Sequence, residues 1–157
     1  MNDSAGSASD AGSARTEEPP FIPSGFGVAH PWLCDVMGHL TTRHYLGFFD
    51  DASYQLLASL GYDSASATRE GWGWADVRHE IEYLAEVGLG SLVRIEGRVT
   101  SIGRSSLQLE FRMIERAGDR HCATLIAKTV CFDLRARKSQ EVPEAIRRQI
   151  ATLFGVR

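Results

Sequence analysis

The chain has 157 residues, of which 43% are hydrophobic and 24% are charged, and its formal net charge at pH 7 is −3. This length suits one domain with its own core, and the composition excludes collagen-like, disulfide-scaffold and largely disordered proteins. No apolar run is long enough to span a bilayer and no secretory signal pattern is present, so we expect a cytoplasmic protein without a membrane anchor.

Residues 1–20 are rich in Ser, Ala, Gly and acids and end in a Pro pair, so we expect a disordered acidic tail before a single domain over residues 21–157. The tail carries a net charge of −3, from four acids and one base, so the rest of the chain is neutral. A neutral domain argues against an extended nucleic-acid interface and against electrostatic attachment to a membrane. The three cysteines form no CxxC pair, and we expect free thiols at Cys34, Cys122 and Cys131.

The first predicted element is an edge strand over residues 28–33, followed by a loop over residues 34–39. Apolar residues then recur at spacings of four, three, four and four, which is typical of one face of a helix: Tyr45, Phe49, Ala52, Leu56 and Leu60. Thr41 or Thr42 can cap the start of this helix and Gly61 can end it. The pattern therefore predicts one helix of about 18 residues, longer than the globular average.

After a polar connection over residues 63–71, the apolar period changes from about 3.6 residues to two, which is typical of half-buried strands. Strands are predicted around four segments: residues 77–83, 93–99, 107–113 and 122–134. The last segment is apolar on both faces, so we expect it in the interior of the sheet. A short amphipathic helix follows from Pro143 to Phe154. One long apolar helix followed by antiparallel strands predicts an α+β fold in which the sheet wraps the helix.

The stretch HPWLCDVMGHLTTRHY, residues 30–45, is the richest in chemically active side chains. Its His and Cys residues match no compact zinc motif, so we expect no metal site. The chain has no GxSxG motif, and Cys34 lacks an evident His partner with an orienting group. Asp35 precedes the helix start, where unpaired backbone N–H groups favour a carboxylate and could stabilise an oxyanion. A turn residue or helix cap is at least as good an interpretation of Asp35 from the residues alone.

The segment DVMGHLTTRHY, residues 35–45, resembles the D-x-M-G-H-(V/L)-N-N-x-x-Y signature of hotdog-fold acyl-CoA thioesterases of the 4-hydroxybenzoyl-CoA thioesterase type. Residues 80–86 and 102–107 resemble that family's second-strand and mid-sheet segments, and the similarity covers roughly residues 26–135. The resemblance implies a hotdog fold, in which an antiparallel β-sheet wraps around one long central α-helix. This arrangement agrees with the order of elements predicted above.

The resemblance also implies roles for individual residues. Asp35 matches the family's catalytic carboxylate, acting as nucleophile on the thioester or as base for water. The backbone N–H of Thr41 or Thr42 matches the donor that polarises the thioester carbonyl. Gly38 would let the backbone approach the substrate, and His39 would line the site.

The implied substrate is an acyl-CoA, with coenzyme A as part of the substrate and no separate cofactor. The implied assembly is a homodimer or homotetramer with the pocket between protomers. Tyr45 belongs to the signature and is a candidate substrate contact. Candidate contacts for the CoA phosphates are Arg104, Ser105 and Ser106, although an ordinary polar turn explains each of them singly. The family's Asn-Asn pair is Thr-Thr here, at residues 41–42, a change that falls beside the reacting carbonyl.

These observations predict a thioester hydrolase that converts acyl-CoA and water into a carboxylate and free CoA. Two alternatives stay open. A hotdog enoyl-CoA hydratase or dehydratase also uses Asp and His in one loop. A non-catalytic acyl-CoA or acyl-carrier binding module would keep the fold without the chemistry.

Overall fold

The computed structural model describes residues 18–157, and residues 1–17 of the expected tail lie outside this range. The helices and strands are β1 (Ile22–Val28), α1 (Thr42–Ser59), α2 (Ser64–Glu70), β2 (Trp72–Tyr83), β3 (Leu92–Ile102), β4 (Ser106–Glu115), β5 (Arg120–Asp133), β6 (Lys138–Ser139) and α3 (Glu144–Phe154). The strands form one antiparallel sheet in the order β1, β3, β4, β5, β2, with β6 beside β5. This curled sheet with its long helix confirms the predicted α+β class and hotdog fold. In the part of the chain that the structure describes, no helix combines the length and apolar character needed to cross a membrane.

Helix α1 has the predicted length and the predicted buried face. All five residues of the predicted apolar face are buried: Tyr45, Phe49, Ala52, Leu56 and Leu60. They pack the helix mainly against β1 and β3, and the Phe49 ring lies 6.4 Å from that of Phe111 on β4. Gly61 follows the helix with φ 89°, a conformation that favours glycine. Thr41 is the N-cap residue, but its side chain makes no capping hydrogen bond.

Two local predictions are wrong. The strand expected over residues 28–33 ends at Val28, and residues 31–33 form a 3-10 turn. Pro31 has no N–H to donate to a strand pair, and its fixed φ suits the start of a turn. The polar connection over residues 63–71 contains α2, which has no apolar period to reveal it. It begins where the Asp63 side chain accepts from the Ala65 N–H at 3.2 Å, and it ends at Gly71, which has φ 92°.

The four predicted strands are present as β2 to β5, each longer than its apolar pattern indicates. β5 lies between β4 and β2, as expected for the strand that is apolar on both faces. One face of β5 is mostly buried against the helix side, and the other is mostly half-buried, with Arg120 and Lys128 exposed. Cys122 and Cys131 lie on the buried face as free thiols, and burial raises the pKa of both. Cys34 is also a free thiol and is half-buried.

Ordered contacts begin before the predicted domain boundary at residue 21. Arg98 on β3 donates to the Glu18 carboxylate at 2.9 Å and to the Pro19 carbonyl at 3.0 Å. The Phe21 ring lies against two guanidinium groups, 4.3 Å from Arg98 and 3.7 Å from Arg112. The segment over residues 18–21 is therefore part of the folded unit.

The two edges of the sheet differ in how they are protected. β1 contains Pro23 and has a register shift before Gly25, and both features discourage pairing with another strand. β2 has 12 residues and no proline, and its one register shift lies between Asp76 and Arg78. Its Val77 and Tyr83 side chains are 58% and 49% exposed. The regular part of β2 beyond the register shift, from Arg78 to Tyr83, is therefore open to pairing with a further strand.

Candidate active site

The segment before α1 folds into a small hairpin. The Asp35 N–H donates to the His39 carbonyl at 2.9 Å, and the Thr41 N–H donates to the Leu33 carbonyl at 2.9 Å. The turn closes when the Gly38 N–H donates to the Asp35 carbonyl at 3.0 Å, and Gly38 has φ 80°, a conformation that favours glycine. An Asp at the first position and a Gly at the bend are the residues that such a turn requires.

The hairpin fixes the Asp35 carboxylate. Its Oδ1 accepts from the Met37 N–H at 2.9 Å and from the His39 N–H at 3.2 Å. Its Oδ2 has no hydrogen-bond partner within residues 18–157. The half-buried carboxylate is thus held by one oxygen and presents the other. The turn role and the functional role that the sequence left open are compatible, because they use different oxygens.

The start of α1 supplies one unpaired amide. The Thr41 N–H is engaged by Leu33 and is not available to a substrate carbonyl. The Thr42 N–H has no acceptor among residues 18–157, because Thr42 is the first residue of α1 and the first N–H groups of a helix have no intrahelical partner. Thr42 lines the same pocket as Asp35. Of the two predicted carbonyl donors, Thr42 is the one placed to act.

This pocket has a volume of about 320 Å³ and lies between the hairpin, the start of α1 and the end of β2. Its inner wall is the Tyr45 ring, which meets the Tyr83 ring edge-on at 5.0 Å between centroids. Tyr45 is 4% exposed, and burial raises the pKa of its phenol, so it is neutral at physiological pH. A larger groove of about 750 Å³ lies between β1 and α1, and none of the predicted site residues line it.

The structure adds Glu86 to the predicted residues. Its Oε2 lies 3.2 Å from Nε2 of His39. Glu86 follows β2 in a segment that pairs with the hairpin, where the Leu40 N–H donates to the Val87 carbonyl at 2.8 Å. The sequence places His39 and Glu86 47 residues apart, and no local pattern links them.

The predicted CoA contacts do not join Asp35 within one protomer. Arg104 pairs with Glu141 at 3.2 Å, and the Ser105 carbonyl accepts from the Cys131 N–H at 2.8 Å, in the turn that leads into Ser106 and β4. The segment that carries Glu86 meets β5 at Cys122, nine residues before Cys131. Nine residues of strand span about 30 Å at about 3.3 Å per residue. These contacts therefore lie at the opposite end of the sheet.

Metal-ligating side chains do not converge in this region. No group of three or more His, Cys, Asp or Glu side chains within residues 18–157 is arranged to hold a metal ion. The candidate chemistry therefore centres on the Asp35 carboxylate, the Thr42 amide and the neighbouring His39.

Comparisons with known proteins identify the family and the fold. Residues 29–150 match the family model of the thioesterase-like superfamily. Solved structures with the same fold include the protein SAV2348 of Staphylococcus aureus in complex with CoA, with 16% identity, coverage of 89% of this chain and 87% of that chain, and a TM-score of 0.79. Another is the 1,4-dihydroxy-2-naphthoyl-CoA thioesterase of Synechocystis, with 16% identity, coverage of 82% and 95%, and a TM-score of 0.74.

A third similar structure is the DHNA-CoA thioesterase of Staphylococcus aureus, with 15% identity, coverage of 74% of this chain and 78% of that chain, and a TM-score of 0.68. At these identities the structural likeness shows the fold. A search of curated proteins found no significant match. The match to the family model confirms the resemblance seen in the hairpin motif and, at the level of that family, the predicted class of thioester hydrolase. Because the family model covers more than half of the chain, the chain belongs to the thioesterase-like superfamily.

Proposed function

We propose that the protein is an acyl-CoA thioesterase in which the Asp35 carboxylate drives attack on the thioester carbonyl. The observation that carries this proposal is the Asp35 carboxylate itself, held through Oδ1 and open at Oδ2, in one pocket with the unpaired Thr42 N–H. Acyl-CoA is supported as the substrate class by the S. aureus neighbour that was solved with CoA and by the neighbours named as CoA thioesterases.

The proposed reaction follows from these groups. The thioester oxygen accepts from the Thr42 N–H, where the positive end of the helix dipole also stabilises the developing negative charge. Asp35 Oδ2 either takes a proton from water as the water oxygen bonds to the carbonyl carbon, or bonds to that carbon itself. The carbon–sulfur bond then breaks and the thiolate of CoA leaves. Thiolate is a good leaving group, so no cofactor beyond the CoA of the substrate is required.

One turnover identifies the nucleophilic route when the label enters the enzyme. With excess enzyme in oxygen-18 water, a nucleophilic Asp35 forms a mixed anhydride with the acyl group. Hydrolysis of that intermediate at the side-chain carboxyl carbon of Asp35 leaves one labelled oxygen in the enzyme. Water attack directed by a base places the label only in the carboxylate product. Mass spectrometry of the peptide that contains Asp35 reads the difference.

We also propose that two protomers pair through the open β2 edge. Two β2 strands related by a two-fold axis run antiparallel, so the Trp74 end of one lies beside the Tyr83 end of the other. Trp74 pairs with Cys131, next to the turn of Arg104, whereas Tyr83 lies in the Asp35 pocket. Such a dimer brings Arg104 of the partner subunit, with its neighbouring serines, to the same end as Asp35. The CoA contacts predicted from the sequence would then act across the interface.

The direct test is hydrolysis by Asp35→Asn over a panel of aryl, short-chain, branched and long-chain acyl-CoAs, read by release of free thiol. We expect the rate of hydrolysis to fall at least about a hundredfold, because an amide side chain can act neither as a base nor as a nucleophile. Asp51→Asn is the matched control, since Asp51 is exposed on α1 and lines the other groove. Unchanged turnover by Asp35→Asn would remove the mechanism.

The same panel separates the alternatives. Loss of enoyl-CoA absorbance without thiol release would identify a hydratase, and tight acyl-CoA binding without turnover would identify a binding module.

A further inference from the structure

Glu86 is the one carboxylate in the pocket that the proposed mechanism leaves without a role. Its Oε2 lies 3.2 Å from Nε2 of His39, and both residues line the pocket with Asp35. The Glu86 side chain is 72% exposed and that of His39 is 32% exposed. Pairs as exposed as this one add little to stability.

Hydrogen bonds to its own and the neighbouring main chain fix the backbone position from which Glu86 reaches His39. On one side of it, the Leu40 N–H donates to the Val87 carbonyl at 2.8 Å, and Gly88 forms an isolated bridge with His39. On the other, Arg120 on β5 donates to the Glu86 carbonyl at 2.8 Å. The segment that carries Glu86 is thus tied both to the hairpin and to the sheet. The fold therefore holds the Glu86 backbone at a place from which its carboxylate reaches the imidazole.

His39 links the two carboxylates of the pocket. Its backbone N–H donates to Asp35 Oδ1 at 3.2 Å, and its ring faces Glu86. When the ring is neutral, a proton on Nε2 satisfies the Glu86 carboxylate and leaves Nδ1 as a hydrogen-bond acceptor. One residue therefore positions the Asp35 carboxylate with its main chain and offers a second acceptor with its side chain.

We propose that Glu86 is a positioning residue, which holds the His39 ring and its tautomer so that Nδ1 orients the water that attacks the thioester. This inference rests on the proposed thioesterase function and on its water-attack route. The proton of the water passes to Asp35 Oδ2, and His39 Nδ1 accepts a hydrogen bond from the other O–H without taking its proton. Glu86 keeps its charge throughout and does not touch the substrate carbonyl.

The test compares Glu86→Ala, which removes the acceptor, with Glu86→Gln, which keeps a neutral one. Glu82→Ala is the matched control, because Glu82 is also exposed and lies at the same end of β2. For Glu86→Ala we expect kcat to fall about ten- to a hundredfold with KM changed less than about twofold, since misplaced groups slow chemistry more than binding. Glu86→Gln recovers most of this loss, and Glu82→Ala matches the wild type.

A second readout does not depend on activity. Nitrogen-15 NMR of the imidazole rings reports the tautomer of His39, assigned with His39→Asn. The wild type and Glu86→Gln should show the Nε2–H form, and Glu86→Ala a mixture of tautomers. The proposal is overturned if Glu86→Ala keeps the wild-type kcat or tautomer, or if Gln fails to restore both. Retained hydrolysis by Asp35→Asn would instead overturn the proposed function, and the NMR result would still decide the contact between Glu86 and His39.

Discussion

Asp35 and His39 are joined by two hydrogen bonds of opposite direction: the Asp35 N–H donates to the His39 carbonyl at 2.9 Å, and the His39 N–H donates to Asp35 Oδ1 at 3.2 Å. The carboxylate is therefore both a structural acceptor in its own turn and the candidate reactive group. These two roles can be separated by substitution, since an amide retains the acceptor and loses the charge.

Asp35→Ala should be less stable than Asp35→Asn by about 1 kcal/mol, because alanine leaves the Met37 and His39 amides without their acceptor. Both variants should lose hydrolysis to the same extent. Urea unfolding of the two proteins measures the difference. Equal free energies of unfolding would show that the hairpin does not depend on Oδ1.

Gly38→Ala should lower the free energy of unfolding by about 1–2 kcal/mol, because φ 80° is unfavourable for a residue with a Cβ. No atom lies within 4 Å of the added carbon, so the effect comes from the backbone alone. Gly47→Ala is the matched control. Gly47 lies within α1 with equal space around it, and alanine there should add about 0.5–1 kcal/mol. A neutral Gly38→Ala would contradict the hairpin geometry.

Val77→Lys should weaken pairing through the β2 edge, because it replaces an exposed apolar side chain of that edge with a charged one, and charged side chains on an edge strand discourage pairing with another strand. Light scattering should give a mass near the 17.3 kDa of one chain for this variant and twice that mass for the wild type. Leu92→Lys is the control, since Leu92 is 47% exposed on β3, beside β1. A dimer that survives Val77→Lys and dissociates with Leu92→Lys would place the interface elsewhere.

The pKa of the Asp63 carboxyl lies below its ordinary value of 3.8, because the Ser66 hydroxyl and the Ala65 N–H donate to its ionised form. A lowered pKa in the folded state stabilises the protein above the ordinary pKa, and this contribution is lost as the pH falls through the lowered value. The stability advantage of the wild type over Asp63→Asn should therefore shrink below about pH 4. Urea unfolding at several pH values measures it, and a constant difference would contradict the capping role.

The sequence predicted the elements whose burial follows a regular period. The α1 face from Tyr45 to Leu60 and the alternation in β4 are local patterns, because one side of each element meets the core. β1 was not predicted at its observed position, because Pro23, Gly25 and Gly27 weaken its strand pattern. Its pairing with β3 also depends on residues some 70 positions away in the sequence. α2 depends on its Asp63 cap and on Gly71, two signals that its polar composition obscures.

The site was predictable where it lies within one motif. Asp35, His39 and Thr42 share a hairpin and a helix start, so their proximity follows from short-range chain geometry. Choosing Thr42 over Thr41 required knowing that the Leu33 carbonyl occupies the Thr41 amide. Glu86 joins the site through the pairing of a segment after β2 with the hairpin, a long-range contact that residue spacing does not encode.

The distance between Asp35 and the turn at Arg104 has a genetic consequence on the proposed dimer. Each complete site would contain Asp35 of one protomer and the Arg104 turn of the other. Two variants that each lack one of these parts can therefore complement each other. Mixed subunits of Asp35→Asn and Arg104→Ala would contain one intact site in every heterodimer, and an equal mixture should recover about a quarter of the wild-type activity after exchange of subunits. Selection would then act on the pair, and a defect in one gene copy could be masked by a different defect in the other.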